Sequence, residues 1–502
     1  MLRFLVHDER GLATQWPLVN AHLLGSDDTS RKGGISFRDG CITCKTSDPH
    51  AAHAFSLEVD AGKAGRLMLQ TCLLRQREEP YRLYEELARH RIKLFLEKSE
   101  AWGLLDPARA PEAFELFERA RATFVAGMVE TDAFRSQNAF RDALALGVFA
   151  SEKLLMRRTE LGLHQRYGAQ GTPRALGVRV PIEKAPDLLK QCLSPEFDTV
   201  LVPTPWSAIE QREGRFTWEQ VDRWMIWAKS TRRVPVMGPL LDLRPGGVPS
   251  WALPALRDPA KFERLVYEFV REVTVRYAPQ SPIWMAAAGV NTNEVAAFTP
   301  AQMCQAVRHA CVTIRQAAPA SKLIVEVGDP FGERSPADGG AIGAIQFVRM
   351  LISEGVRFDF VGLPVMLGDA GRGTRDLMQV AAMLDRFISR NEMPPILVSA
   401  LAAPSAAPRE PGVGFWREPW SERSQAAWAT MAFQVAMSSR KVQVVVWDRL
   451  RDDAGTGVRD SGLFGPGGAP KQAAARLLGV RRKMREALGP APTPSAAAAP
   501  AS

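Results

Sequence analysis

No stretch of this 502-residue chain approaches the ~18 consecutive apolar residues that a membrane-spanning helix needs, so no membrane partner is expected. The opening MLRFLVHDERG puts Asp8, Glu9 and Arg10 where a secretory leader carries its apolar core, and the expectation is a soluble, cytoplasmic protein. Clusters of basic charge are just as scarce. The formal charge of +9 is spread over scattered Arg, apart from the short Arg481-Arg482-Lys483 run. A nucleic-acid groove gathers basic residues with interleaved aromatics, so nucleic acid is not an expected partner. Of six cysteines only Cys41 and Cys44 form a C-x-x-C, and no second pair completes a zinc site. They read as reduced thiols on a β-hairpin. Beyond His164 a single histidine, His309, remains of the seven, which argues against a His-ligated metal hydrolase and against a Ser-His-Asp triad there. There is no G-x-x-x-x-G-K-[ST] loop, and RPGGVPSW and GPGGAP are Pro-broken turns that cradle phosphate poorly. Neither a metal nor a cofactor is expected.

What is present is an ordinary globular composition, 46% apolar and 24% charged, in enough chain for two or three domains. Residues 1–76 alternate and turn often. GGISFRDGCITCKT and AHAFSLEVDAGKAGRLMLQTCLL read as strands, with turns at Asp39-Gly40 and Ala61-Gly62, and predict a small sandwich-like β domain. Trp16 is its only Trp, which leaves a sugar-binding module little to stack with. Residues 77–168 switch to a helical period in YRLYEELARHRIKLFLEKSEAWGL, PEAFELFERARATFVAGMV and NAFRDALALGVFASEKLLMRRTELGLHQR. Three long helices follow, whose Phe and Leu stripes read as packing against the next domain. The last residues, 488–502, are low-complexity and predict a disordered tail.

After GAQGTP, residues 174–487 alternate strands with helices. ALGVRVP, FDTVLVPTPW, VPVMGPLLDL, IWMAAAGV, KLIVEVGDP, FDFVGLPVML, PPILVSALA and VQVVVWDRL are near-continuous apolar runs, each followed by a helical segment. Eight such units predict an α/β fold, a closed (β/α)8 TIM barrel preceded by the small β domain and the helical region.

Chemistry in such barrels sits at the C-terminal ends of the strands. Those ends offer Asp242, Glu294, Glu326, Asp369, Asp448 and Asp452, beside Trp206, Trp251 and Trp447. Indole faces stack on sugar rings and paired carboxylates cleave glycosidic bonds. The competing reading is that the Trp fill the core, as Trp218, Trp224 and Trp227 on one helical segment suggest.

The order of features resembles glycoside hydrolase family 10, the xylanase-type barrels, over about residues 176–478. EQREGRFTWEQVDRWMIWAK is similar to that family's segment after its second strand, and MGPLLDLRPGGVPSW to its third-strand region. YEFVREVTVRYAPQSPIWMAAAGVNTNE resembles the helix and strand that end on its Asn-Glu acid/base. VRFDFVGLPVML matches the sixth strand, and WDRLRDD with GLFGPGGAPKQAA the eighth. The resemblance implies a carbohydrate partner, a β-glycan or oligosaccharide, and hydrolysis of its O-glycosidic bonds. It makes Glu294 the general acid with Asn293 beside it, and Trp206, Trp251, Trp447 and Asp448 part of the sugar cleft.

The departures bear on mechanism. The family's nucleophilic Glu on strand seven is replaced by Ala400, within Val398-Ser399-Ala400-Leu401-Ala402. The sugar-binding His of strand three appears as Pro239, the Gln and His of strand six as Pro364 and Met366, and the Asn and Lys after strand two are lost around Val202 to Pro205. Three options remain. In an inverting hydrolase Glu294 protonates the leaving oxygen while Asp242 or Glu326, with Asp448 a distant third, activates water, the carboxyls ~6.5–9.5 Å apart. In a pseudoenzyme the cleft binds glycan only. In a scaffold Glu294 caps its helix or pairs with an Arg.

Overall fold

The computed structural model describes the whole chain except residues 28, 47, 49, 170–173, 334–339, 369–370, 372, 408–412, 454–457 and 487–502. Asp369 and the tail at 488–502 thus lie outside the described residues. Eight parallel strands close into a barrel. They are β1 (Leu176–Arg179), β2 (Thr199–Val202), β3 (Val234–Met237, resumed at Leu241–Asp242), β4 (Ile283–Ala288), β5 (Lys322–Glu326), β6 (Phe360–Met366), β7 (Ile396–Ala402) and β8 (Val442–Trp447). Each pairs with the next, and Leu176 of β1 pairs with Val445 of β8 to close the ring. The break in β3 falls at Gly238, whose φ is +128°. A Cβ there would stand 2.4 Å from the Met285 carbonyl of β4, so only glycine lets the two strands approach this closely.

Side chains on a strand alternate, and the two faces of the barrel wall are both apolar. Leu201, Val236, Met285, Ile324, Leu397, Val444 and Val446 fill the inside as one buried cluster, with Ile283 and Phe360 against it. The outer faces pack on helices in the main core, which takes in Trp284, Trp428 and Trp447. Two residues beyond Ile324 and Val446 on the inner face come Glu326 and Asp448. The apolar interior therefore ends in an ionic layer at the C-terminal mouth.

Among the described residues the segment before the barrel forms two larger sheets, a small two-stranded pairing of His7–Asp8 with Gly11–Leu12, and three α-helices. One sheet joins Leu2–Leu5 to Tyr81–Arg82, Cys41–Cys44 and Ile35–Arg38. The other runs Ser30–Arg31, His22–Leu24, Ala54–Asp60, Gly65–Gln70 and then Phe415–Trp416. Phe4 and Phe55 stack between them at 5.0 Å. The last strand comes from the loop after β7, pairing Phe415 with Arg66 and Trp416 with Gly65, so the barrel itself completes the second sheet. The helices are α1 (Leu83–Ala101), α2 (Pro111–Val129) and α3 (Ala133–Ala169). Arg166 of α3 donates to the carbonyl of Met437 at 2.8 Å, filling an acceptor that the helix end there leaves open, and to the carbonyl of Val442, the first residue of β8, at 2.9 Å.

Buried charge marks where the two halves meet. Arg91 of α1 pairs with Asp376 at 2.5 Å, both side chains out of solvent. Glu152 of α3 accepts from Trp416 Nε1 and from Arg417, each at 2.7 Å. Glu58 accepts from the Thr374 amide at 3.1 Å and from Asn20 Nδ2 at 3.2 Å. Burial pushes the Glu58 carboxyl up to about 7, against hydrogen bonds that favour its charged form. The loops after β6 and β7 are thereby fastened to the β sheets. Among the described residues no helix is long and apolar enough to cross a membrane.

Candidate functional site

The mouth is organised around the end of β4. Asp242 of β3 pairs in register with Ala288, and Ala288 in turn with Glu326 of β5. Two of the candidate carboxylates thus flank the tip of β4, two strand spacings apart. Arg244 fills the gap between them. Its Nε and Nη2 donate to the two oxygens of Asp242 at 2.8 and 2.7 Å, and Nη1 donates to Glu326 Oε1 at 2.8 Å. The Arg244 amide also donates to Asp242 Oδ1 at 3.0 Å, folding the chain back just past β3.

Gly289 explains how the arginine gets there. Its φ is +64°, and a Cβ on it would lie 2.4 Å from Arg244 Cγ. The arginine stem crosses the end of β4 where any other residue would stand. Burial by itself would lower the pKa of this guanidinium. The Glu326 and Asp242 carboxylates outweigh burial and raise it, so Arg244 is a fixed cation. Glu326 keeps one oxygen, Oε2, buried and without a hydrogen-bond partner among the described residues. Asp448, just past β8, pairs with Arg179 at the end of β1 at 2.9 Å.

Glu294 stands apart from this group in character. β4 ends at Ala288, a short 3-10 turn spans Val290–Thr292, and Glu294 follows on an exposed bend. Its Oε1 accepts from the Thr292 hydroxyl at 2.9 Å. The apolar burial expected of a strand-end acid is missing, because the turn at residues 289–293 separates it from the strand. Asn293 is buried with φ +53°, and its amide both donates to the Phe298 carbonyl at 3.0 Å and accepts from the Phe298 amide at 3.1 Å. Asn291 donates to the carbonyls of Gly328 and Ile342, each at 3.0 Å, tying the loop after β4 to the one after β5. Both asparagines have their side chains committed to holding loops.

The indoles are committed too. Trp206 is 2% exposed, stacks on Phe269 at 5.2 Å and donates to Glu210 Oε2 at 2.7 Å. Trp251 meets it edge-on at 5.9 Å and donates to the Glu210 carbonyl at 2.8 Å. Trp447 is fully buried and donates to the Ser461 carbonyl at 2.9 Å. Trp206 and Trp447 offer no free ring face to a sugar, and Trp251 is half-buried. Ala400 is buried on β7, in register with Pro364 of β6. Asp452 is paired with Lys471 and accepts from the Gly462 amide at 2.7 Å.

No family model matches the chain, and no curated protein does. Among solved structures it is similar to xylanase B from Clostridium stercorarium F9, at 15% identity over 61% of this chain and 96% of that one, with a TM-score of 0.47. It is similar to native xylanase 10B from Thermotoga maritima at 13% identity, 64% and 98% coverage and a TM-score of 0.49. A third similar structure, GH10 from Paenibacillus barcinonensis, gives 17%, 62%, 96% and 0.48. The likeness is to xylanase-type barrels.

Chemically, the mouth is a compensated ion cluster. Both oxygens of Asp242 and one of Glu326 are occupied by Arg244, and Asp448 is occupied by Arg179. The two arginines are the members that the sequence reading missed. Their signal was present in LDLR and in LGVR, where the cation ends or closely follows an inward-facing strand position. Cys41 and Cys44 lie on one strand as free thiols, and among the described residues no group of three His, Cys, Asp or Glu is arranged to hold a metal ion.

Proposed function

We propose that the protein is a glycoside hydrolase-like barrel whose mouth binds a carbohydrate, a β-glycan or oligosaccharide, and does not cleave it by the paired-carboxylate route. The observation that carries this reading is the Arg244 bridge between Asp242 and Glu326. Hydrolysis by inversion needs one carboxyl to protonate the leaving oxygen and a second to take a proton from water. A carboxylate held by a fixed guanidinium on both oxygens is a poor proton acceptor, since taking the proton breaks charge-assisted bonds. Retention needs a nucleophile on β7, where Ala400 supplies only a methyl group. Planar guanidinium and carboxylate edges remain suited to hydroxyl recognition, and the Arg244 side chain keeps 31% of its surface exposed. The carbohydrate class follows from the order of motifs that resembles family 10.

A hydrolytic role is the second reading, favoured by the exposure of Glu294 on the loop after β4, where a ligand could reach its carboxyl. In it Glu294 is the general acid, and Glu326, through its unpaired Oε2, is the base. The test of the first reading is binding. Titrating wild type and Asp242→Asn with xylo- and cello-oligosaccharides should give binding to at least one wild-type series, weakened at least about tenfold in the variant. Absence of binding to every oligosaccharide removes the sugar and leaves the barrel.

A further inference from the structure

A cleft of about 510 Å³ lies between the second β sheet, α1 and the barrel, and it shares no lining residue with the Arg244 cluster. The volume falls within the range of small-molecule sites. Its walls carry mainly positive charge. Arg91, Lys93 and Lys98 line it from α1, and Arg375 and Arg386 line it from the barrel, against Glu97 as the one acid among the described lining residues. The acids that pair with these cations mostly stand outside the space. Asp376 pairs with Arg91 at 2.5 Å, Asp385 with Lys98 at 2.9 Å, and Glu333 with Arg375, and none of these three acids lines the cleft. Lys93 pairs with Glu97 at 2.7 Å on the outer rim.

Two guanidinium nitrogens remain unused. Arg91 Nε and Arg375 Nε are buried, and neither has a hydrogen-bond partner among the described residues. Both side chains are more than nine-tenths buried and belong to the cleft wall. The lining also carries the apolar side chains of Leu94, Phe331 and Met383, beside polar Ser56, Gln70, Thr71 and Gln379. His90 lines the same space. Its imidazole is pushed down to about 3 by burial first and then by Arg91 and Lys93.

We propose that this cleft binds a small polyanion, with one anionic group against the α1 cations and another against Arg375 and Arg386, and its body on Phe331, Leu94 and Met383. The shared chemistry is two or more carboxylate or phosphate groups on a compact frame. The inference does not rest on the carbohydrate reading of the mouth. It also gives the segment before the barrel a ligand-binding role, because no single part of the fold holds both walls.

The test is calorimetric titration of the full chain with citrate and with inorganic pyrophosphate at low ionic strength. The expected result is a dissociation constant below about 1 mM for at least one of them, with the tighter probe naming carboxylate or phosphate as the source. Lys93→Ala, on a side chain 55% exposed, and Arg386→Ala should each weaken binding at least about fivefold without lowering Tm by more than a few degrees. Asp242→Asn at the mouth should leave it unchanged. No binding of either anion, or binding that ignores both cleft variants, overturns the proposal.

Discussion

Arg244 and Asp242 meet through two side-chain hydrogen bonds, at 2.8 and 2.7 Å, only two positions apart on the rim of β3. The third arm of the same guanidinium reaches Glu326 on the far side of β4. Arg244→Leu would leave two carboxylates facing each other without their cation. The expected loss is roughly 2–4 kcal/mol in urea unfolding, reduced from the fully buried case because solvent reaches part of Arg244. Adding Asp242→Asn and Glu326→Gln should restore part of it, since the repulsion disappears with the charges. An Arg244→Leu variant as stable as wild type would mean the bridge does not hold the mouth.

Gly289 is predicted to be intolerant of a side chain for two reasons acting together. Its positive φ costs an alanine about 1 kcal/mol, and the new Cβ would push into Arg244 Cγ. Gly289→Ala should lose more than Gly355→Ala, which has a positive φ but open space around its Cβ. Thermal unfolding of the pair measures the difference.

Glu58 gives a pH dependence with a definite sign. Its folded value is near 7, above the ordinary carboxyl value of 4.5, chiefly through burial. A carboxyl raised on folding contributes stability that is full below its unfolded pKa and lost as pH rises through the folded one. Wild type should therefore lose stability relative to Glu58→Gln between pH 4.5 and 7, by up to about 3 kcal/mol. The amide introduced by Glu58→Gln keeps an acceptor for the Thr374 N–H and loses the one that faces Asn20 Nδ2, a loss that does not vary with pH, so the pH dependence of the difference reports the charge. Parallel denaturation curves at pH 5 and pH 8 check it, and an unchanged difference would contradict it.

Ala400→Glu would put a carboxyl on β7 where the family resemblance expects a nucleophile. Little or no cleavage is expected, because Pro239, Pro364 and Met366 remain and the site is buried. Mass spectrometry for a glycosyl-enzyme with an activated glycoside is the check, and efficient trapping would show that the missing contacts are dispensable.

The barrel was readable because its strands are buried on both faces and separated by amphipathic helices, a pattern that few other folds produce. The strand Phe415–Trp416 was not readable. Two residues carry no periodicity, and their partner Arg66 lies hundreds of positions away. The carboxylates at the mouth were found from strand position alone. Their state was not, because it depends on Arg244 and Arg179, cations that the sequence offers among many scattered Arg. Trp206 looked like a sugar platform for a similar reason. Its burial depends on Phe269 and Trp251, which reach it only once the helices have packed.

The most direct test of the central claim is anomeric proton NMR of wild type incubated for days with the oligosaccharide it binds best, alongside Glu294→Gln. With Asp242 and Glu326 held by Arg244 and no nucleophile at Ala400, no new reducing-end signal is predicted in either sample. New reducing-end signals from wild type that vanish in Glu294→Gln would contradict this account and make the barrel a hydrolase with Glu294 as its acid.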